Sequence, residues 1–225
     1  MNQRFDIYRN IHMGVRALMM DTLSAVGRMD AEDEDERAPV LAQARFLLAF
    51  CRIHLEKENR FVHPAMESRA PGSTGTITAD HEHHVRAFAD LEADVAAVEA
   101  APAGARAETA FLLYRKLALF VGENFVHMHA EETGNNEILW RTHCDREIVA
   151  IEQAIIAAVP AEMKGPVLRW MLPALSPQTR AQLFRLMAPT MPPEAVKGIL
   201  AMLKAHLRET DWEKLNAALE LPAAA

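Results

Sequence analysis

The sequence predicts an all-α protein, and three observations support this fold class. Long stretches repeat apolar residues at steps of three and four, the period of a helix with one buried face. Apolar and polar residues almost never alternate as they would in strands. Glycine and proline collect at a few breaks between the long stretches. Four long helices with short connections are therefore expected to form an antiparallel up-down four-helix bundle, followed by additional C-terminal helices.

The first two predicted helices are joined by an acidic segment. Helix one is expected over residues 5–26, ending at Gly27, and helix two over residues 38–68. Between them, the run DAEDEDER at 30–37 is expected to be a solvated loop that caps the start of helix two. The run lacks the glycine and the ligand spacing of a calcium-binding loop.

Helices three and four follow two further breaks. The segment APGSTGT at 70–76 separates helix two from helix three, which is expected over 78–100. The turn APAG at 101–104 leads into helix four, over 105–132, and the sequence GNN at 134–136 is expected to interrupt it.

The remaining sequence predicts a fifth helix over 138–159 and then shorter, proline-punctuated helices. We therefore expect a bundle domain at 1–140 and a C-terminal helical extension at 141–225. The extension is rich in methionine and leucine at helical spacing. Its apolar faces are expected to pack against the bundle or, alternatively, to bind a protein partner or a second copy of the chain, because methionine-rich faces adapt to varied shapes.

Composition excludes several classes of function. The chain has 225 residues, is 50% hydrophobic, and carries a net charge of -7 without a Lys/Arg-rich stripe, so no nucleic-acid partner is expected. Apolar runs such as FLLAFC are shorter than a bilayer span, and the polar N-terminus lacks the order of a signal peptide. We expect no membrane association and a cytoplasmic location. Cys51 and Cys144 form no CxxC pair and are interpreted as buried small apolar side chains.

Two copies of the pattern His-x-x-x-Glu predict metal binding. They are His54 with Glu58 and His127 with Glu131. Residues four apart on a helix lie on the same face, so each pattern places an imidazole and a carboxylate where both can hold one ion. His12 and His81 stand alone on their own predicted helices.

All six candidates lie on core-facing stripes of their predicted helices. His127 and Glu131, for example, continue the apolar stripe of Leu113, Leu117 and Phe120. Charged or titratable groups at core positions cost several kcal/mol unless they are paired or metal-bound.

The six candidates are also expected to share one level of the bundle. His12 lies about 15 residues before the end of helix one and His54 about 16 after the start of helix two, so both are roughly 23 Å from the connecting turn. His81 and His127 are similarly matched across the turn between helices three and four. The alternative is a structural helical protein whose histidines are only core residues.

Several other groups near the motifs are assigned lesser roles. The pair His63 and Glu67 repeats the His-x-x-x-Glu spacing but is expected at the rim, because Pro64 and drift from the stripe remove it from the core. His84 is left open as an extra ligand or a neighbour of the ligands, and His129 is expected to face away from His127. Whether Glu132 joins the metal shell also stays open.

These residues make the first 140 or so positions resemble a hemerythrin-like domain of the HHE cation-binding family. The resemblance is carried by IHMGVR around His12, HLEKENRFVHPAM, DHEHHVRAF around His81, and ENFVHMHAEE. It implies a non-haem di-iron centre in which Glu58 and Glu131 bridge two iron ions and His12, His54, His81 and His127 cap them. Zinc or manganese could also fill such a nitrogen and oxygen ligand set.

The resemblance is incomplete at two positions. Oxygen-carrying hemerythrins have a further histidine one turn along helix three, where this chain has Val85. They also have an aspartate five residues after the fourth-helix histidine, where this chain has Glu132. These departures favour a reactive or sensing centre over an oxygen carrier.

The resemblance therefore implies a protein that binds iron and a small ligand, namely O2, NO or peroxide, for sensing or storage. Tyr8 could hydrogen-bond such a ligand or could be a plain core residue. The alternative is a di-iron oxidoreductase or a protein that repairs iron-sulfur clusters, so the sequence leaves open whether the chain is an enzyme.

Overall fold

The computed structural model describes residues 4–220, which are predominantly helical and contain no strand. The all-α prediction is therefore confirmed. In chain order, the α-helices up to residue 158 are α1 (Arg9–Arg28), α2 (Glu34–Lys57), α3 (His63–Arg69), α4 (Gly75–Ala100), α5 (Arg106–Ala130), α6 (Asn136–Thr142) and α7 (Asp145–Ala158). Two π-helical turns lie within this series, π1 (Glu58–Val62) and π2 (Glu131–Asn135).

The four long helices α1, α2, α4 and α5 form the predicted bundle. Helix α4 packs most extensively against α5 and, to a lesser extent, against α2. The core between them contains large side chains that are almost fully buried, including Leu47, Phe88, Leu113 and Phe120. The helical bundle is followed by additional C-terminal helices, as the sequence predicts.

The acidic segment before α2 is partly loop and partly helix. Asp33 is the N-cap, and its side chain accepts a hydrogen bond from the Asp35 backbone N–H. Glu34, Asp35 and Glu36 form the first helical turn, so α2 begins four residues earlier than predicted. Acidic side chains are favourable there because they face the positive end of the helix dipole.

Residues 134–136 do not interrupt the fourth long helix, so this prediction is wrong. The chain passes from α5 through π2 into α6 without leaving the helical path. The break comes instead at His143, whose backbone is extended (φ -127°, ψ 148°). The single fifth helix predicted over 138–159 is therefore two helices, α6 and α7.

Long-range hydrogen bonds stabilise the break between α6 and α7. Arg4 donates to the carbonyl oxygens of Trp140 and His143, at 2.7 Å each. The Glu147 carboxylate accepts from the Cys144 backbone N–H at 2.8 Å and caps the start of α7. Cys144 is consequently exposed at a helix start, contrary to prediction, whereas Cys51 is buried as predicted.

The described residues divide into two compact units, the first comprising 4–9 and 18–159 and the second 10–17 and 160–220. The helices of the second unit after residue 160 are α8 (Ala161–Ala174), α9 (Pro177–Met187), α10 (Pro193–His206) and α11 (Glu209–Leu219), with a 3-10 turn at Ala188–Thr190. This unit has its own apolar core, to which Leu172, Phe184, Leu203 and Leu215 belong. Buried Arg180 donates to the carbonyl oxygens of Leu172, Pro173 and Leu175 and so satisfies the C-terminal end of α8.

One helical stretch, residues 34–69, is by length and composition long and apolar enough to cross a membrane. Core helices of soluble proteins pass the same test, and 39% of the most apolar window of this stretch is buried inside the protein. Its inward face carries Leu47, Cys51 and the charged Glu58. We therefore describe it as a helix whose inward face packs in the core of the first unit.

A close helix contact in the second unit leads to a stability prediction. A Cβ atom added at Gly14 would lie 2.8 Å from the backbone Cα of Met171, closer than real Cβ contacts allow. We expect Gly14→Ala to lower the free energy of unfolding by about 1–3 kcal/mol through overpacking, as measured by denaturant unfolding. Gly122→Ala on α5 is the matched control because nothing lies within 4 Å of its added Cβ. It should stabilise by up to about 1 kcal/mol. Equal effects at the two glycines would contradict the close contact.

Candidate metal centre

The two His-x-x-x-Glu motifs have the same backbone geometry. Each glutamate begins a π-helical turn, Glu58 in π1 and Glu131 in π2. In each turn the glutamate carbonyl oxygen accepts a hydrogen bond from the N–H five residues later, that of His63 or Asn136. A π-turn inserts one residue into the helical register, and such turns are frequent at functional sites.

The inserted residue changes which side chains face the core after each glutamate. Buried positions follow Glu58 at Val62, His63 and Met66, and they follow Glu131 at Asn135, Asn136 and Leu139. In both cases the offsets are four, five and eight residues. A regular α-helix would have continued the predicted stripe through Phe61 and Ala65, which are only half-buried.

Four predicted ligands form one compact group within the first unit. They are Glu58, His81, His127 and Glu131, all buried, and each offers one ligand atom within 4.8 Å of the others. His81 Nε2 lies 3.1 Å from His127 Nε2. The same nitrogen lies 3.7 Å from Glu58 Oε2 and 3.7 Å from Glu131 Oε1. His127 Nε2 lies 3.4 Å from Glu131 Oε2.

These separations fit the edges of a coordination shell. Ligand atoms held at about 2.1 Å from one ion lie about 3.0 Å apart at octahedral edges and about 3.4 Å apart at tetrahedral edges. The observed separations between ligand atoms, 3.1–3.7 Å, are close to these two values. Two imidazole nitrogens and two carboxylates are also a donor set that divalent transition metals accept. The residues present therefore fit a metal ion.

The other two predicted ligands lie in a second group that shares both glutamates. His12, His54, Glu58 and Glu131 each offer one ligand atom, again all within 4.8 Å of one another. His54 Nε2 lies 3.2 Å from Glu58 Oε1, one helical turn away. The structure thus brings together all six residues that the sequence singles out. Neither group includes His84 or Glu132.

One further side chain orients His81, and another lies close to His127. His81 Nδ1 donates to Asn59 Oδ1 at 2.7 Å, which leaves its Nε2 lone pair facing the glutamates. His127 Nδ1 lies 3.5 Å from Asp80 Oδ2, which is an ion-pair distance. A hydrogen bond such as that from His81 to Asn59 holds a metal-binding imidazole in one tautomer and one orientation. Neither Asn59 nor Asp80 carries a motif, so only the folded structure connects them with the site.

His63 does not lie at the rim, and this prediction is wrong. Its side chain is 6% exposed, and its ring stacks on that of His81 with centroids 4.9 Å apart and planes 15° apart. The physical reason is π1, which shifts the inward position from a three- or four-residue step to a five-residue step. Glu67 has no part in the cluster, because its carboxylate accepts hydrogen bonds from Gly72 and Thr74 in the following turn.

Helix α4 presents a different inward face from the one predicted. Val85 is 43% exposed, whereas His84 is buried with its ring edge toward His127, centroids 4.8 Å apart. The stripe therefore steps by three residues after His81 and continues through Phe88. Val85 therefore does not line the cluster, and the buried histidine on this turn of the helix is His84. His129 is exposed and faces away from His127, as predicted.

Tyr8 lies against this buried charge. It is 2% exposed, and its hydroxyl accepts a hydrogen bond from Asn135 Nδ2 at 3.1 Å. Burial raises the pKa of the phenol well above its ordinary value, and the negative charges of Glu131 and Glu58 raise it further. Tyr8 therefore stays protonated beside the two carboxylates.

The buried histidines give a prediction for the metal-free protein. Burial, and then the neighbouring imidazoles, lower the pKa of His63 and of His84 to about 4 from the ordinary 6.5. Between these pH values the unfolded chain binds more protons than the folded one, so stability should fall as the pH is lowered from about 6.5 to about 4. Denaturant midpoints measured across this range should show the loss.

Removal of one such group should reduce the pH dependence. We expect a shallower slope for His84→Gln and an unchanged slope for the control His83→Gln, because His83 is exposed on the adjacent position of α4. Identical slopes for wild type and His84→Gln would contradict a neutral buried imidazole at this position.

One of three comparisons with known proteins identifies the family of this chain. Searches among curated proteins and among solved structures return no match. The chain matches the family model described as hemerythrin HHE cation binding domain over residues 4–136, which is more than half of its length and includes all six predicted ligands. The protein therefore belongs to the hemerythrin HHE cation-binding family.

Proposed function

We propose that this protein holds a non-haem di-iron centre in the cluster formed by His12, His54, Glu58, His81, His127 and Glu131. The observation that carries the proposal is that the two ligand groups share Glu58 and Glu131 while each adds two different histidines. Two carboxylates common to two sets of imidazoles are what a pair of carboxylate-bridged ions requires. A single-ion site would use only one of the groups.

Iron is the metal we propose because the ligands are imidazoles and carboxylates without a thiolate. Cys51 is buried, but burial raises the pKa of its thiol to about 12, so it is not a thiolate ligand at neutral pH. The same ligand set accepts zinc or manganese, so metal analysis has to include both.

We further propose that the centre binds a small ligand, O2, NO or peroxide, for sensing or storage in the cytoplasm. When bound, a pair of iron ions supplies redox-active sites for such molecules. The chain contributes an apolar enclosure, in which Phe88 and Phe120 are buried with ring centroids 5.7 Å apart. An apolar wall of this kind is expected to favour small ligands over large ones.

One observation favours the alternative of a di-iron oxidoreductase. Tyr8 is a protonated phenol within electrostatic reach of both shared glutamates. A proton held at its hydroxyl could be transferred to a reduced oxygen species. Loss of peroxide or NO consumption in Tyr8→Phe, with iron content unchanged, would support an enzyme over a sensor.

Metal content tests the central proposal. Protein prepared without an affinity tag and loaded with ferrous iron should contain about two ions per chain, measured by elemental analysis together with an optical spectrum of the oxidised form. A ratio far below two, with zinc and manganese counted, would contradict a two-ion centre.

Ligand variants make the proposal specific to these residues. Glu131→Ala should lose most of the iron because both groups need its carboxylate, and His54→Ala should lose part of it because only one group needs its imidazole. Glu137→Ala and His129→Ala are matched controls on the same helical path, and both residues are exposed. They should retain the wild-type content, and equal iron content in all four variants would contradict the assignment.

The C-terminal helices remain our proposed surface for a protein partner or a second copy of the chain. A truncation after Val159 tests this role by size-exclusion chromatography and thermal melting. A stable, metal-loaded monomer would support it, whereas aggregation would favour an internal packing role.

A further inference from the structure

His63 is a buried imidazole that the ligand groups do not use. Its side chain is 6% exposed, and its Nε2 has no hydrogen-bond partner among residues 4–220. A buried polar atom without a partner is costly, so its presence calls for an explanation.

Its position joins His63 to the metal centre. Its ring stacks on His81, His81 is in ring contact with His127 at 4.9 Å between centroids, and His127 contacts His84 at 4.8 Å. Four imidazoles therefore form a continuous array beside the glutamates. His81 and His127 belong to a ligand group, while His63 stacks on His81 and belongs to neither group.

The position that corresponds to His63 after the second glutamate is Asn136. Asn136 stands five residues after Glu131, as His63 stands five residues after Glu58. The Asn136 side-chain amide donates to Asp6 Oδ1 at 2.7 Å and to the Glu132 carbonyl oxygen at 3.0 Å. After one π-turn the amide nitrogen of Asn136 donates to protein groups, and after the other the Nε2 of His63 has no hydrogen-bond partner in the described part of the chain.

We propose that His63 recognises a small anionic ligand bound at the centre, such as peroxide or azide, through a hydrogen bond from Nε2. This inference rests on the di-iron site proposed above. In this proposal His63 selects the ligand without binding the metal. The recognition then comes from the start of α3, directly after π1. A ligand atom with a lone pair satisfies the nitrogen that the protein leaves without a partner.

Azide binding to the oxidised, iron-loaded full chain tests this role, with the affinity read from the change in the optical spectrum. We expect His63→Phe to retain about two iron ions per chain, because the ring packs on His81 and the residue is not in a ligand group. Its azide affinity should fall about tenfold or more, the effect of losing one hydrogen bond to a charged group. His63→Gln, which keeps a donor, should lie between His63→Phe and wild type.

A metal-free measurement separates ligand recognition from a structural role. Because His63→Phe removes a buried nitrogen that no protein group satisfies, the melting temperature of the metal-free variant should equal or exceed that of wild type. A clear fall would indicate that the imidazole serves the fold and would overturn the proposal. The matched control is His83→Phe, which exchanges an exposed imidazole on α4 and should change neither azide affinity nor iron content.

The remaining outcomes also decide the question. Wild type that holds two irons but binds no azide overturns the inference, and so does unchanged azide affinity in iron-loaded His63→Phe. Loss of iron from both His63 variants would make His63 a metal-holding residue and would overturn it as well. Only wild type without bound iron would also overturn the proposed function.

Discussion

The burial of two carboxylates among imidazoles is the constraint on which the rest of this structure depends. Glu58 and Glu131 are 3% and 0% exposed in the interior of a helical bundle. A charged group at such depth is costly unless opposite charge or a metal ion compensates it. The histidines around the two glutamates supply groups that can compensate the buried charge directly or through a metal ion. Asn59 accepts a hydrogen bond from His81 and so fixes the orientation of that histidine. The apolar core of the bundle then encloses the cluster.

The two glutamates also coincide with the two places where the bundle leaves regular α-helical geometry. Each π-turn keeps its helix continuous while it changes the register of everything that follows. Met66 and Leu139, eight residues after their respective glutamates, both belong to a second apolar cluster with Ile7 and Tyr8. The π-turns that position the two carboxylates therefore also position Met66 and Leu139 in this apolar cluster.

Helical periodicity was sufficient to predict the fold class, the four long helices and the six residues that meet in the cluster, because face and level depend only on spacing along regular helices. It failed where the spacing is irregular. His63 was assigned to the rim because a three-residue step was assumed after Glu58, where the chain reaches a buried position after five residues. Val85 was assigned to the core because a four-residue step was assumed after His81, where the chain uses three. Asn59 and Asp80 could not be found at all, since a single polar contact between helices leaves no periodic pattern in the sequence. The break at His143 is stabilised by hydrogen bonds from Arg4, which is distant in sequence.

The π-turns have a consequence for how this domain tolerates changes in length. Each turn behaves as a one-residue insertion absorbed within a helix. Deleting a single residue from π1 would restore a regular α-helix and rotate the following segment by about 100° relative to the preceding one. Met66 would then leave the core and His63 would turn away from His81. Most helical bundles accept length changes only in their loops, whereas here the register-sensitive positions lie in mid-helix, immediately beside the proposed ligands.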